Sequence, residues 1–492
     1  MERSNFNRVP GAPHLDFEMW EKPNTSKQQR RQKECPLPVT AKLHRFLPLL
    51  ILLATAASAQ VTVFRNVTLI DGNGGPARHH VSLYVAGDRV RMVLSPNAKI
   101  PGPPEGREIV DLTGKTIMPE LINCHGHIGL LKGTKTASAN YTKENLTRHL
   151  LQYQDYGVGA VQVMGTDHDE IYPWREESRQ GKLPGAEIFT AGRGFGVPNA
   201  MPPLAMGMDQ VYRPATPEEA RKDVDELAQH HPDFVKMWVD DFYGQYPTMK
   251  PEIYAAIIDQ AHKQHLRVAA HVFHLADAQQ LVADGLDIFA HSIRDAEVPD
   301  TLIAEMKSHH MAYVETLSLD DFATAYKDDP KGMPVWLNDP FFRNALEPGV
   351  YEMITSQTYK DSLKTSKPAA IEQTALPIAI KNLKKIYDAG ILVALGTDSG
   401  ATPIRPLGFS EHIELQLLVQ AGLTPLQAIT VGTKNAAELL HTAATIGTLT
   451  PGHKANFIVL DKDPTEDIHN TETIASVWKD GKKVSTGPHS NP

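Results

Sequence analysis

The sequence contains very little cysteine and no recognisable phosphate-binding loop. Only two of its 492 residues are cysteine, which excludes a scaffold held together by several disulfide bonds. The glycine-rich stretch GRGFG at 192–196 lacks the spacing and the following helix that a dinucleotide-binding loop needs. The formal charge of −9 leaves no basic excess, which argues against a general nucleic-acid-binding protein.

Long apolar runs are also scarce, and the exception lies near the N-terminus. The segment AKLHRFLPLLILLATAASAQ (41–60) has basic residues, an apolar core and then Ala-Ser-Ala, the layout of a secretory signal peptide with its cleavage site. The core is short for a membrane span, and a membrane anchor is the alternative. We therefore predict a signal peptide at 41–59 and a secreted or periplasmic protein, without stable membrane insertion after cleavage.

Two further expectations concern the region before the cleavage site. The polar stretch 1–40 is predicted to be a disordered extension. Cleavage after Ala59 would remove Cys35 and leave Cys124 as a single cysteine, which cannot form an internal disulfide. The composition of the whole chain, 41% hydrophobic and 22% charged, is typical of a globular protein.

Both ends of the mature chain have the pattern of short β-strands. Alternating apolar residues and turn pairs such as Asp71-Gly72 occur at 60–118, and residues 446–486 have a similar pattern. Neither segment is long enough to bury a good core alone. We predict one small β-sandwich domain formed by both segments, followed by a disordered tail at 487–492.

The region between them, 119–445, alternates apolar runs with amphipathic stretches. Eight of the runs are candidate strands, each followed by a helix or a long loop, a pattern that predicts an α/β fold with a parallel (β/α)₈ TIM-like barrel. The runs are TIMPELINCHGH (116–127), VGAVQVMG (158–165), AEIFTAG (186–192), FVKMWV (234–239), LRVAAHV (266–272), LDIFAHS (286–292), MAYVETL (311–317) and ILVALGTD (391–398). The longest gap, after the seventh run, contains an aromatic-rich stretch at 320–351, which we predict to be a lid or a substrate wall.

Polar side chains lie at the ends of several of these apolar runs, where the chemistry of such a barrel is found. They are His125, His127, Lys236, His271, His291 and Asp398. A single strand histidine is more often structural than a ligand, but imidazoles and a carboxylate that converge on one mouth can bind Zn²⁺ or a similar ion. A lysine ammonium beside that cation would be repelled, so the lysine must be neutral or chemically changed.

These stretches resemble the amidohydrolase superfamily, in its imidazolonepropionase-like and Xaa-Pro-dipeptidase-like group. The resemblance covers about residues 61–485 and is carried by MPELINCHGH, DFVKMWVD, VAAHVFHLADAQQLVADGLDIFAHS, ILVALGTDSG, EHIELQLLVQAGLTPLQAITVGTKNAAELL and IGTLTPGHKANFIVLDKDP. The sequence departs from the family pattern at three positions. Glu120 replaces a common glycine, and Asn123 and Asn456 replace aspartates.

The resemblance implies a role for each polar residue at the strand ends. His125, His127, His271 and His291 match metal ligands, with His274 as a rival for His271 that lies past the end of the apolar run. Lys236 matches a lysine that reacts with CO₂ to form a carbamate bridging two metal ions, expected to be Zn²⁺. Asp398 matches the aspartate that binds a metal and transfers the proton.

The implied function is hydrolysis of a C–N bond in a small substrate, an amide, peptide-like or cyclic amide bond, by a metal-bound hydroxide. The alternatives are a lactonase or a deaminase on the same scaffold, or a non-catalytic binding relative. Arg193, Arg294 and Arg405 follow predicted strands, and each could bind a substrate carboxylate. His412 is a further candidate for binding the substrate, or for supporting the site together with Glu414. The sequence leaves both a monomer and a homo-oligomer open.

Overall fold

The structure is a computed structural model that describes residues 60–327 and 334–488. The predicted N-terminal extension, the predicted signal peptide and residues 489–492 of the predicted tail lie outside the described residues. Among the residues that are described, no helix combines the length and the apolar character needed to cross a membrane.

Strands and helices alternate through most of the described chain. The strands are β1 (Val61–Leu69), β2 (Arg78–Ala86), β3 (Arg89–Leu94), β4 (Arg107–Asp111), β5 (Thr116–Pro119), β6 (Leu121–Gly126), β7 (Leu131–Lys132), β8 (Lys135–Thr136), β9 (Val158–Val163), β10 (Glu187–Thr190), β11 (Val235–Trp238), β12 (Val268–His271), β13 (Ile288–Ala290), β14 (Ala312–Glu315), β15 (Leu392–Leu395), β16 (Phe457–Leu460), β17 (Ile474–Lys479) and β18 (Lys482–Ser485). The helices are α1 (Lys143–Asp155), α2 (Ile171–Arg179), α3 (Pro217–Ala228), α4 (Pro251–Lys263), α5 (Leu275–Ala283), α6 (Asp300–Ser308), α7 (Leu317–Ala325), α8 (Pro340–Arg343), α9 (Val350–Thr355), α10 (Gln357–Thr365), α11 (Lys367–Asp388), α12 (Phe409–Gln420), α13 (Pro425–Thr430) and α14 (Ala436–Leu439).

Strands from both ends of the described chain join in one mixed sheet. Its order is β18-β17-β16-β5-β1-β2-β3, and β4 also pairs with β1. Three aromatic rings pack in its core: the ring centroid of Phe64 lies 5.0 Å from that of Phe457 and 4.8 Å from that of Trp478. These contacts join residues that are far apart in the sequence, and the closure of this sheet into a sandwich stays a prediction.

The central region forms two parallel sheets, one with the order β10-β9-β6 and one with the order β11-β12-β13-β14-β15. Each of these eight strands lies inside one of the eight apolar runs predicted from the sequence. Nearly all residues of these strands are buried, as expected for parallel strands covered by helices on their outer side. The structure is thus an α/β fold with parallel sheets, whereas a closed barrel stays a prediction.

The first predicted barrel strand is divided into two at Glu120. Residues before it form β5, which pairs with β16, and residues after it form β6, which starts the parallel sheet. The backbone changes partner here: Pro119 pairs with Phe457, and the amide of Leu121 donates to the carbonyl of Gly157 over 2.9 Å. One apolar run in the sequence therefore serves two sheets.

The long connection between β14 and β15 contains the five helices α7 to α11 in its described part. Its aromatic side chains pack together and onto α12; for example, the ring of Trp336 lies 4.6 Å from that of Phe342 and 5.4 Å from that of Phe409. Other side chains of the connection, among them Tyr359 and Leu363, line the cavity described below. This position agrees with the predicted role as a substrate wall.

Candidate metal centre and substrate cavity

Two histidines at the end of β6 meet an aspartate that follows β15. His125 and His127 are two positions apart, so an extended backbone directs both side chains to the same side. The Nε2 atom of His127 lies 2.8 Å from Oδ1 of Asp398, and Nε2 of His125 lies 3.4 Å from the same oxygen. All three side chains are buried, so together they form a buried donor set of two imidazoles and one carboxylate.

His291 and His271 extend this group along the neighbouring strands. The ring of His291 lies 4.2 Å from the ring of His125 and 4.2 Å from that of His271. One ligand atom from each of His125, His291 and Asp398 lies within 4.8 Å of the others, which is close enough for a single metal ion. His291 and Asp398 also have positive φ angles of 109° and 56°, a strained backbone of the kind that clusters at functional sites.

Lys236 lies on β11 with its side chain fully buried. Its Nζ atom has no hydrogen-bond partner among the described residues, and neither has Nδ1 of the buried His125. Burial lowers the pKa of Lys236 to about 7, against the opposing charge of Asp398. An amine and an imidazole nitrogen that are buried without hydrogen-bond partners are costly to the fold, and a bound metal ion would supply a partner.

The charge state of the other groups also suits a metal site. Burial and the charge of Lys236 hold the pKa of His125 well below its usual range, and burial does the same to His291. Both imidazoles are therefore neutral and have a free lone pair. Burial alone would raise the pKa of Asp398, but Arg405 and the two hydrogen-bonded histidines hold it well below its usual range. Asp398 is thus an anion.

The structure distinguishes between His271 and His274, the two alternative candidates for the metal ligand near the end of β12. His271 contacts the ring of His291 and places Nε2 2.8 Å from Oδ2 of Asp240. His274 instead lies 3.0 Å from Asp295 and 3.3 Å from Asp241. The ring contact brings His271 to the histidine cluster, whereas His274 belongs to a neighbouring acidic group.

A cavity of about 320 Å³ opens beside the histidine cluster. Its lining includes both apolar and aromatic side chains and several charged ones. The apolar and aromatic members include Met201, Met206, Met208, Trp238, Phe242, Tyr243, Leu319, Tyr359 and Leu363. The polar members include His127, Asp240, His271, Arg294, Glu372, Asp398 and Arg405. This combination suits a small substrate with an apolar portion and a few polar groups.

Of the three arginines predicted to bind substrate, two reach this cavity. Arg405 forms an ion pair with Asp398, and Nε of Arg294 donates to Oδ1 of the buried Asp320 over 2.9 Å. Arg193 is not among the lining residues. It pairs with Asp169 and Glu226 at 3.1 Å and lies over the ring of Tyr212.

His412 and Glu414 lie on α12, away from the cavity lining. Nε2 of His412 lies 2.9 Å from the carbonyl oxygen of Tyr156, and Nδ1 lies 2.9 Å from Oγ1 of Thr471. The carboxylate of Glu414 accepts the amides of Leu317 and Ser318, at the start of α7, over 2.9 and 2.8 Å. Both side chains hold backbone elements together around the site.

Sequence reasoning missed Glu411, another buried polar side chain on α12. Its Oε1 accepts hydrogen bonds from Asn123 at 2.6 Å, Thr397 at 2.7 Å and Ser399 at 2.8 Å. These donors lie close to His125, His127 and Asp398 in the sequence, near the ends of β6 and β15. The departure at Asn123, an amide donor where the family has an aspartate, was the one available signal for a buried acidic partner.

The fold and the cluster define an α/β protein with a histidine–carboxylate centre at the ends of parallel strands. The sequence model of the amidohydrolase family matches residues 116–484, and the chain belongs to this family. It is therefore an enzyme, a hydrolase that acts on carbon–nitrogen bonds, and the predicted family is confirmed. Metal binding is typical of the family.

Individual relatives are similar at lower identity. The chain is 25% identical to an ochratoxinase from Aspergillus niger over 511 aligned residues, which cover 93% of this chain and 92% of the relative. The crystal structure of A. niger ochratoxinase superposes with a TM-score of 0.65 at 21% identity, over 88% of this chain and 96% of the other. A Xaa-Pro dipeptidase with bound methionine in its active site superposes with a TM-score of 0.68 at 20% identity, over 86% and 99%.

Proposed function

We propose that the protein hydrolyses an amide or peptide-like bond of a small substrate with divalent metal ions held at the histidine cluster. The observation that carries the proposal is the buried convergence of His125, His127, His291 and Asp398 beside a lysine whose amine has no partner. The mixed apolar and charged cavity next to the cluster supports a small-molecule substrate.

The residues proposed to hold the metal ions are His125, His127, His271, His291 and Asp398, with Lys236 as the bridging carbamate. We expect two Zn²⁺ ions per chain, because imidazole and carboxylate are ordinary zinc ligands and a carbamate supplies a bridging anion. Metal ions in such a site lower the pKa of a coordinated water and polarise the carbonyl oxygen of the substrate. The two unpartnered buried nitrogens support this assignment.

The chain's own residues carry the proton and orient the substrate. Asp398, held ionised by Arg405 and the histidines, is placed to accept a proton from the attacking water and to pass it to the leaving nitrogen. Arg405 and Arg294 line the cavity and can orient a substrate carboxylate. The aromatic wall of the cavity keeps water away from the reacting bond.

The proposed architecture is a closed eight-stranded ring with a β-sandwich formed by both chain ends. Isolated parallel bridges join the two parallel sheets on both sides, Gly126 with Ser399 and Phe195 with Met237. Such bridges at both seams support closure of the ring, with the metal ligands at the carboxyl ends of its strands. The mixed sheet, with its aromatic core, supports the second domain.

The relatives narrow the proposed substrate. One is named a Xaa-Pro dipeptidase and another an ochratoxinase. We propose a dipeptide, an acylated amino acid or a cyclic amide as the substrate. The alternatives that the scaffold permits are a lactone and an amino compound that is deaminated.

Metal analysis and a substrate screen test this function. The purified protein, loaded with zinc in bicarbonate buffer, is expected to contain two metal ions per chain and to hydrolyse at least one amide in a panel of dipeptides, N-acyl amino acids, cyclic amides and lactones. His127→Ala should abolish the activity, and the exposed His309→Ala should not. Loaded protein that cleaves only lactones, or that has no activity on the panel, would contradict the proposal.

We also propose that the protein is secreted or periplasmic, because residues 41–59 have the layout of a signal peptide. N-terminal sequencing of the mature protein is expected to begin at Gln60. A mature protein that retains residues 41–59 would instead support the membrane-anchored alternative. Light scattering of the same sample distinguishes a monomer from a homo-oligomer.

A further inference from the structure

The acidic side chains that line the cavity differ in whether they have partners. Asp398 is paired with Arg405 and with histidines, and Asp240 is paired with His271 and accepts the amide of Phe242 over 3.0 Å. Glu372 is the exception among the described lining residues. It takes part in no ion pair there, and its Oε2 atom is buried without a hydrogen-bond partner.

Glu372 belongs to the wall formed by the long connection between β14 and β15. It lies on α11, one turn after Pro368 and Ala369, and all three line the cavity. Only 2% of Glu372 is exposed, so its side chain is removed from bulk water although the residue lines the cavity. Two other lining residues of this wall, Tyr359 and Leu363, have an aromatic and an apolar side chain. Neither side chain explains why a carboxyl group is buried beside them.

An unpartnered buried carboxyl is costly for the fold. Burial raises the pKa of Glu372 to about 8; the charge of Arg405 lowers it, and the charges of Asp240 and Asp398 raise it further. Protonation removes the charge but leaves Oε2 without a hydrogen-bond partner. A group of this kind in a cleft is a functional candidate because a bound ligand can supply the missing partner.

The charges around the cavity indicate which ligand group fits. Each lining arginine has a carboxylate partner in an ion pair, Arg405 with Asp398 and Arg294 with Asp320. No free cation of the described lining therefore faces Glu372. Aromatic rings of the same cavity, such as Trp238 and Tyr243, also favour a cation over their faces.

We propose that Glu372 recognises a protonated amine of the substrate, so that the enzyme prefers amides that carry a free amino group, such as dipeptides with an unmodified N-terminus. This inference rests on the proposed function and selects among its substrate classes. Glu372 acts in it as a specificity-determining residue, and the bond cleavage remains with the metal centre.

A matched pair of compounds tests the proposal. Leucyl-phenylalanine carries the amine, and N-(4-methylpentanoyl)-phenylalanine has the same skeleton without it. For the zinc-loaded enzyme we expect a KM at least roughly tenfold lower for the amine-bearing compound, because a buried polar site left unpaired rejects the analogue. Glu372→Gln should lose this preference by raising KM for leucyl-phenylalanine, so that the KM values of the two compounds become similar. Glu352→Gln, at an exposed position of α9, is the matched control and should behave as the unmodified enzyme.

Equal KM values for the two compounds in the unmodified enzyme, or a preference that survives in Glu372→Gln, would overturn the inference. If Glu372→Gln fails to fold, Glu372→Met provides the same test, because an apolar chain of similar length fits the buried position. Where neither compound is cleaved, calorimetric Kd values for the pair replace KM. Loss of all amide hydrolysis contradicts the proposed function, whereas equal affinities contradict only the role of Glu372.

Discussion

The Nε2 atom of His127 lies 2.8 Å from Oδ1 of Asp398, although 271 positions separate the two residues. The contact depends on the pairing of two chain segments beyond the ends of β6 and β15. The amide of His127 donates to the carbonyl of Ser399 over 2.9 Å, and Gly126 forms a bridge with Ser399. The first and the last of the parallel strands therefore bring their polar ends to one place, and substitutions at this place test the site directly.

Lys236→Ala is expected to lose the proposed pair of metal ions and all hydrolytic activity, because it removes the buried amine that is proposed to carry the bridging carbamate. Elemental analysis of the purified variant measures the metal content, and the exposed Lys182→Ala serves as the control. A Lys236→Ala protein that retains two metal ions per chain would show that the lysine is not a bridging ligand.

Asp398→Asn is expected to keep the fold and to lose turnover by roughly 10²- to 10⁴-fold, the usual contribution of a general acid–base group. The amide cannot accept the proton, although it keeps the size of the side chain. The measurement is kcat at a known metal content, with circular dichroism to check the fold. Normal turnover in a metal-loaded variant would require another proton acceptor.

Glu411→Ala is expected to weaken metal binding by roughly 10- to 100-fold and to lower the melting temperature, the usual effect of removing a residue that orients ligands. The substitution leaves the buried donors of Asn123, Thr397 and Ser399 without their shared acceptor. Metal titration and thermal melting measure the two effects, with the exposed Glu305→Ala as the control. Unchanged zinc affinity in Glu411→Ala would show that Glu411 stabilises the fold without orienting the metal ligands.

Glu120→Gln is expected to raise thermal stability at alkaline pH more than at acidic pH. Burial raises the pKa of Glu120 from 4.5 to about 8. The folded protein therefore binds the proton more tightly than the unfolded chain does, and the free energy of unfolding falls as pH rises between these two values. Glutamine removes that dependence because it does not ionise.

Melting temperatures of the Glu120→Gln variant and the unmodified protein at about pH 4 and about pH 8.5 measure this effect, since the two values bracket the transition. The exposed Glu305→Gln is the control and should shift neither melting curve. An equal difference in melting temperature at both pH values would show that Glu120 is not responsible for the pH dependence.

The positions of the parallel strands could be predicted from the sequence. Runs made up mostly of apolar residues, such as VGAVQV and IFA, mark strands buried on both faces. The division of the first run at Glu120 could not be predicted, because partner exchange between two sheets leaves no local pattern. The spacing of apolar residues indicates which residues are buried, but it does not indicate which strand pairs with a given strand.

The substrate arginines illustrate the limit of sequence reasoning. Arg193 and Arg405 both follow a strand and look equivalent in the sequence, yet Arg405 reaches Asp398 while Arg193 pairs with Asp169 and Glu226. Glu372 gave no signal at all, because a glutamate on a helix of a long connection is usually exposed to solvent. Its burial depends on how the connection packs over the cavity.

By itself the sequence determined the strands, the polar residues at their ends and the family, since these depend on residue type and on spacing along the chain. Only the tertiary structure decided which side chains meet: the pairing of His127 with Asp398, the shared acceptor at Glu411 and the unpartnered carboxyl of Glu372. The physical reason is that hydrogen bonds and burial act over a few ångströms in space. Two residues within a few ångströms of each other can be hundreds of positions apart in the chain, and no local sequence pattern indicates that they are in contact.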